Sequence, residues 1–210
     1  MRKTGHRYPK ETKNDDFGHG RKTLILELNA FANPDPVVFL PVETYIAEFL
    51  RNKNPELIAE YELEAFEVLV LDIKRTFTEK LMCITRLSIN SGPRYDSLKE
   101  KIRHFYDICK MIELTEINEF LSSDNISEYL ELVLKDDLIN PEFQKEWGPL
   151  KGKNILEAEL FVNLEEVCSS IKSVLEGDFQ TLLYSDEEVS VVEVKSALSR
   201  LKNMLPIIIV

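Results

Sequence analysis

Apolar and polar positions divide the chain into a strand-bearing first part and a helical remainder. Thr23–Leu28 is an apolar run of strand length interrupted by Glu27. Phe66–Leu71 is a second such run, and it leads directly into a helical pattern. Between them, Asn33, Pro34, Asp35 and Pro36 read as a turn, because two prolines exclude regular pairing there. Thr44 is placed to cap a short helix reaching about residue 53, with Tyr45, Ile46, Phe49 and Leu50 on one face. From there on the period is helical, with helices predicted over 76–89, 95–113, 115–122, 126–135, 156–176 and 186–204. The clearest stripe runs through Leu160, Leu164, Val167, Cys168, Ile171, Val174 and Leu175, with Gly177 as its stop. The last helix is predicted to open at Ser185, with Glu188 completing a capping box. Residues 1–22 are polar and read as a loop without a core of its own.

This pattern predicts an α+β fold. A small mixed β-sheet portion over residues 23–112 precedes an acidic α-helical C-terminal part over 113–210, and 1–22 forms a polar leading segment. Two or three strands are few for a self-sufficient sheet, so the strand-bearing portion reads as incomplete. The 210 residues are 44% hydrophobic and 30% charged, with a net charge of −11, which is ordinary globular composition. The charge is unevenly spread. Residues 1–110 carry 18 basic and 17 acidic side chains, whereas 111–210 carry 8 and 20. Phosphate neutralisation needs Lys and Arg, so a nucleotide or other polyanion is expected in the first half. No apolar run approaches the ~20 residues of a membrane span and no apolar leader is visible, so a cytoplasmic protein is expected. Cys83, Cys109 and Cys168 lack metal-ligand spacing and read as reduced core thiols, and Trp147 stands alone.

Two stretches carry candidate chemistry. In Leu71–Leu81, Thr76 and Glu79 have capping-box spacing, which predicts a helix start at Thr76. Lys74 and Arg75 then sit at a strand-to-helix junction with Lys80 about one turn inside, and a helix start of this kind favours phosphate. The plainer alternative is a snorkelling lysine and a surface Lys-Arg pair. In Leu98–Ile112 the core stripe is Leu98, Ile102, Phe105, Cys109 and Ile112. Arg103 and Asp107 lie one turn apart on the adjacent flank beside His104. Spacing alone makes them an i,i+4 ion pair worth about 0.3–0.5 kcal/mol when exposed. The sharper reading makes Asp107 a carboxylate that orients a cation or accepts a proton, with Arg103 or His104 touching phosphate. Phosphate-loop, dinucleotide and nucleophile-elbow motifs are absent from the sequence.

Together, Phe66–Leu71, then Arg75-Thr76-Phe77-x-Glu79-Lys80-Leu81, then Lys101-Ile-Arg-His-Phe-Tyr-Asp107 resemble the AbiEii/AbiGii-type nucleotidyltransferase family, toxins of toxin–antitoxin and abortive-infection (phage-defence) systems. The likeness is specific over 66–112, looser over about 20–65 and diffuse after 113. The resemblance implies transfer of a nucleotidyl group from an NTP to an acceptor such as a tRNA end, with Mg²⁺ as cofactor and a cognate antitoxin as partner. It makes Lys80 and Asp107 the catalytic positions. Lys74, Arg75, Thr76, Arg103 and His104 would bind nucleotide, and Glu27 would match an acidic metal position. The family's opening Gly-Ser strand–turn–helix and its following Asp-x-Asp pair have no counterpart here. A truncated relative is therefore expected, weakly active or inactive alone; the alternative is a non-catalytic interaction module with a vestigial nucleotide site.

Overall fold

A computed structural model describes residues 2–7, 23–28, 33–90, 92–183 and 188–210. They fall into two compact units: Pro34–Thr76, and the rest of the chain. The class is α+β as the sequence predicts. Its strands form two separate two-stranded antiparallel sheets, one in each unit.

In the larger unit, β1 (Arg2–Arg7) pairs with β2 (Thr23–Leu28), placing Lys3 opposite Glu27. The reading of residues 1–22 as a loop is thus corrected for 2–7. Those polar residues are strand because β2 gives their backbone groups a partner, and local composition does not register such a partner. Residues 8–22 lie outside the described ones, as does the side chain of Glu27.

The smaller unit contains β3 (Val37–Val42), α1 (Tyr45–Arg51), α2 (Glu56–Glu60) and β4 (Phe66–Leu71). β3 runs antiparallel to β4 from Val37 opposite Leu71 to Val42 opposite Phe66. Thr44 caps α1 as predicted, its hydroxyl accepting the Ala47 N–H at 3.1 Å. The shared apolar face of that helix is not its buried face, however. Ala47 is buried, while Tyr45, Ile46 and Phe49 are each more than 60% exposed.

β4 passes through Asp72 into α3 (Ile73–Ile89). The carboxylate of Asp72 accepts the N–H groups of Lys74 at 2.7 Å and Arg75 at 3.2 Å, and its carbonyl accepts the Thr76 N–H at 2.8 Å. Asp72 is therefore the N-cap, and Thr76 lies inside the first turn rather than at the start.

The remaining helices build the core of the larger unit: α4 (Asp96–Lys99), α5 (Ile102–Met111), α6 (Thr115–Leu121), α7 (Asn125–Ile139), α8 (Pro141–Trp147), α9 (Glu159–Val162), α10 (Leu164–Leu175) and α11 (Val191–Met204). α10 packs along α11, and both touch α5. Phe105, Ile108, Val167, Ile171, Leu198 and Leu201 are buried. Burying side chains of this size contributes roughly 1.5–3 kcal/mol each.

The single helix predicted over 95–113 is α4 and α5, separated at Glu100 and Lys101. That predicted over 156–176 is a 3₁₀ turn, α9 and α10, interrupted at Ala158 and Asn163. α11 opens on a capping box one turn later than expected. Ser190 accepts the Glu193 N–H, and Glu193 accepts the Ser190 N–H at 2.7 Å. Ser185 itself lies outside the described residues. Among the described residues, no helix is long and apolar enough to cross a membrane.

Candidate functional site

The residues with the sharpest chemistry in the sequence meet across α3 and α5. Lys80 lies about two turns into α3, where Phe77, Leu81 and Ile84 are buried and fix the helix by its apolar face. α5 is held by Ile102, Phe105, Ile108 and Cys109, all buried, which turns Arg103, His104 and Asp107 along its other flank. Lys80 Nζ donates to Asp107 Oδ2 at 2.7 Å, and the two side chains are 23% and 34% exposed. Asp107 thus pairs with a lysine 27 positions back and not with Arg103 one turn away. The i,i+4 reading of Arg103 and Asp107 is overturned because Lys80, on the neighbouring helix, reaches the carboxylate first. Arg103 is exposed.

His104 is half-buried beside this pair. Burial pushes its pKa down to about 4; Lys80, Lys101 and Arg103 act in the same direction, and Asp107 opposes them. The imidazole is therefore neutral at pH 7. A folded-state value below the ordinary 6.5 means that the unfolded chain binds the proton more readily. The resulting stability is fully present above pH 6.5 and is lost as pH falls toward 4. For a half-buried group, screened by solvent, the expected loss between pH 7 and 5 is about 1 kcal/mol. Urea titrations of wild type and His104→Gln at the two pH values check this: the variant's midpoint is expected to fall less.

Lys74, Arg75 and Thr76 belong to the smaller unit. Arg75 is only 2% exposed, and Lys74 and Thr76 are half-buried. The surface Lys-Arg pair allowed by the sequence is corrected for Arg75, whose guanidinium is inside the protein. Cys109 is buried on the apolar stripe and its thiol is pushed up to about 12 by burial, so it is no nucleophile at neutral pH. Cys83 and Cys168 are free thiols as well, with values raised by burial.

One conspicuous cluster has no counterpart in the local sequence pattern. Arg86, on α3 and 5% exposed, donates from Nε to Glu146 at 2.6 Å and from Nη1 to Asp137. Trp147 Nε1–H donates to the same Asp137 oxygen at 2.9 Å, and the guanidinium stacks 3.6 Å from the Phe143 ring centre. The lone tryptophan is a structural donor in the interior. Arg86 sits 51 and 60 residues from its two carboxylate partners, so no local spacing announces them.

The Lys80–Asp107 pair sets a mobile cation against a carboxylate at a partly open surface. A lysine so placed stabilises negative charge on a phosphoryl group, and the carboxylate orients it or accepts a proton. A divalent metal is a different matter. Among the described residues, no three His, Cys, Asp or Glu side chains come together to hold one, and Asp107 is already engaged by Lys80. The described residues therefore hold no preformed all-protein metal cluster.

The family model "Nucleotidyl transferase AbiEii toxin, Type IV TA system" matches residues 2–179. No curated protein and no solved structure matches the chain. The match spans both motifs and most of the sequence, and the chain belongs to the AbiEii nucleotidyltransferase toxin family of type IV toxin–antitoxin systems.

Proposed function

We propose that the α3–α5 surface binds the phosphates of a nucleoside triphosphate. Lys80 is the phosphate-directed cation, Asp107 is the carboxylate that aims it, and Arg103 and His104 stand at the rim. The observation that carries this reading is the 2.7 Å contact joining Lys80 to Asp107, which brings together the two sequence stretches that carry the resemblance. The chemistry is nucleotidyl transfer in the cytoplasm to an acceptor, for which a tRNA end is the candidate, in a pathway countered by a cognate antitoxin. The acidic C-terminal half is a poor RNA surface, so an RNA acceptor would approach from the first half.

Thermal unfolding with ATP, GTP, CTP or UTP and Mg²⁺ tests the binding step. At a ligand concentration 100 times Kd the protein gains about 2.7 kcal/mol. For a chain of this length that raises Tm by about 5–10 °C. Lys80→Ala is expected to remove the rise. No response to any nucleotide would favour the alternative, an interaction module with a vestigial site.

A further inference from the structure

Histidine is the side chain expected to change charge near neutrality, and a phosphate site bearing one invites the assumption that it binds as imidazolium. The surroundings of His104 argue otherwise. Its Nδ1 is buried and has no hydrogen-bond partner. The charged groups that act on the ring are Lys80 from α3, Lys101 just before α5, and Arg103 and Asp107 on α5 itself. Three are cations, and the single carboxylate is already engaged by Lys80 Nζ. A proton on Nδ1 would thus be a buried donor without an acceptor, and it would lie among cations. An Nδ1 lone pair in the same place is the better match for that positive surrounding. The single proton of a neutral ring then belongs on Nε2, and Nε2 is not among the buried polar atoms left without a partner.

We propose that His104 is a neutral hydrogen-bond donor of the nucleotide site, its Nε2–H directed to a phosphate oxygen while Nδ1 stays unprotonated throughout the physiological pH range. The role rests on the nucleotide reading above and adds to it the protonation state and the donating atom. It also divides the labour. Lys80 and Arg103 supply charge, and His104 supplies direction without a further positive charge that would repel them. Nδ1 is buried without an acceptor in the structure, so the ring is expected to stay neutral when phosphate binds. Its contribution is then flat with pH where an ordinary histidine would titrate.

Nitrogen NMR of protein labelled at histidine tests the state directly. The chain has three histidines, and His104→Gln assigns the relevant signal. The expected result at pH 6 without ligand is a neutral ring with its proton on Nε2, unchanged in charge when ATP, GTP or inorganic triphosphate is added. Binding of the same three probes is expected to weaken about tenfold in His104→Ala, the effect of losing one hydrogen bond to a charged group. It is expected to stay within about threefold in His104→Gln, whose amide supplies a neutral donor. An Nδ1–H tautomer or an imidazolium at pH 6 would overturn the role. So would probe binding that Lys80→Ala weakens and His104→Ala leaves intact, and in that case the nucleotide site itself stands. A wild-type protein that binds none of the probes would overturn both, whatever the tautomer.

Discussion

Arg86→Ala is expected to cost about 3–5 kcal/mol, a large part of the 5–15 kcal/mol that holds a typical domain together. The loss follows from what the substitution leaves behind. Asp137, nearly buried, would keep only the Trp147 N–H, and Phe143 would lose the guanidinium stacked on its ring. Glu146 is less affected, because a third of its side chain reaches water. Removing one partner of a buried ion pair strands a charge, which costs more than the pair contributes. In a chain of this length the drop corresponds to about 6–20 °C in Tm. The double variant Arg86→Met/Asp137→Asn separates the stranded charge from lost packing. It keeps volume and an acceptor for Trp147, so it is expected to lose clearly less than the sum of the two single changes. Calorimetry of Arg86→Ala, of the two single changes and of the double variant decides the matter. A loss under about 1 kcal/mol for Arg86→Ala would mean that water solvates the cluster.

What made the fold legible was local periodicity, and its failures are as local as its successes. The stripe through Leu98, Ile102, Phe105, Cys109 and Ile112 is buried throughout, as the period requires. The interruption at Glu100 and Lys101 was invisible because the stripe continues in phase across it. Two capping boxes of identical spacing precede α11, and nothing local ranks Ser190 over Ser185. Val189 and Val194 flank the box built on Ser190, and both are buried in hydrophobic-staple positions. β3 was hidden by Pro41, a residue that argues against a strand until a partner such as β4 is known. The apolar side chains of α1 show the opposite failure: amphipathic spacing says which residues share a face, not that anything covers it. For the site, spacing alone preferred Arg103 as the partner of Asp107. Only the joint resemblance of two motifs singled out Lys80, and only the tertiary fold brings its ammonium to Asp107.

Asp107→Asn and Lys80→Ala are expected to move nucleotide binding in opposite directions, although they break the same ion pair. A bound triphosphate must compete with Asp107 for Lys80 and also meets the repulsion of the carboxylate a few ångströms away. Two unit charges about 6 Å apart interact by about 2–3 kcal/mol at an effective dielectric near 20, and by less where the side chains are partly open to water. Neutralising Asp107 is therefore expected to tighten the binding of inorganic triphosphate and of NTPs by about threefold to tenfold. Removing the cation at Lys80 is expected to weaken it at least tenfold. Both differences should shrink as salt rises toward 1 M, where screening shortens to about 3 Å. Transfer of label from an NTP to an acceptor RNA, in whatever assembly of this family supports it, is expected to fall in both variants by about 100-fold or more, the scale seen when one preorganised charge is removed. Tighter binding with lost transfer makes Asp107 the residue that aims Lys80 or takes the proton. If Asp107→Asn weakens binding as much as Lys80→Ala does, the carboxylate acts mainly by holding α5 against α3, and its role is structural. Isothermal titration of the two variants with triphosphate at 0.05 and 0.5 M salt separates these outcomes before any acceptor is known.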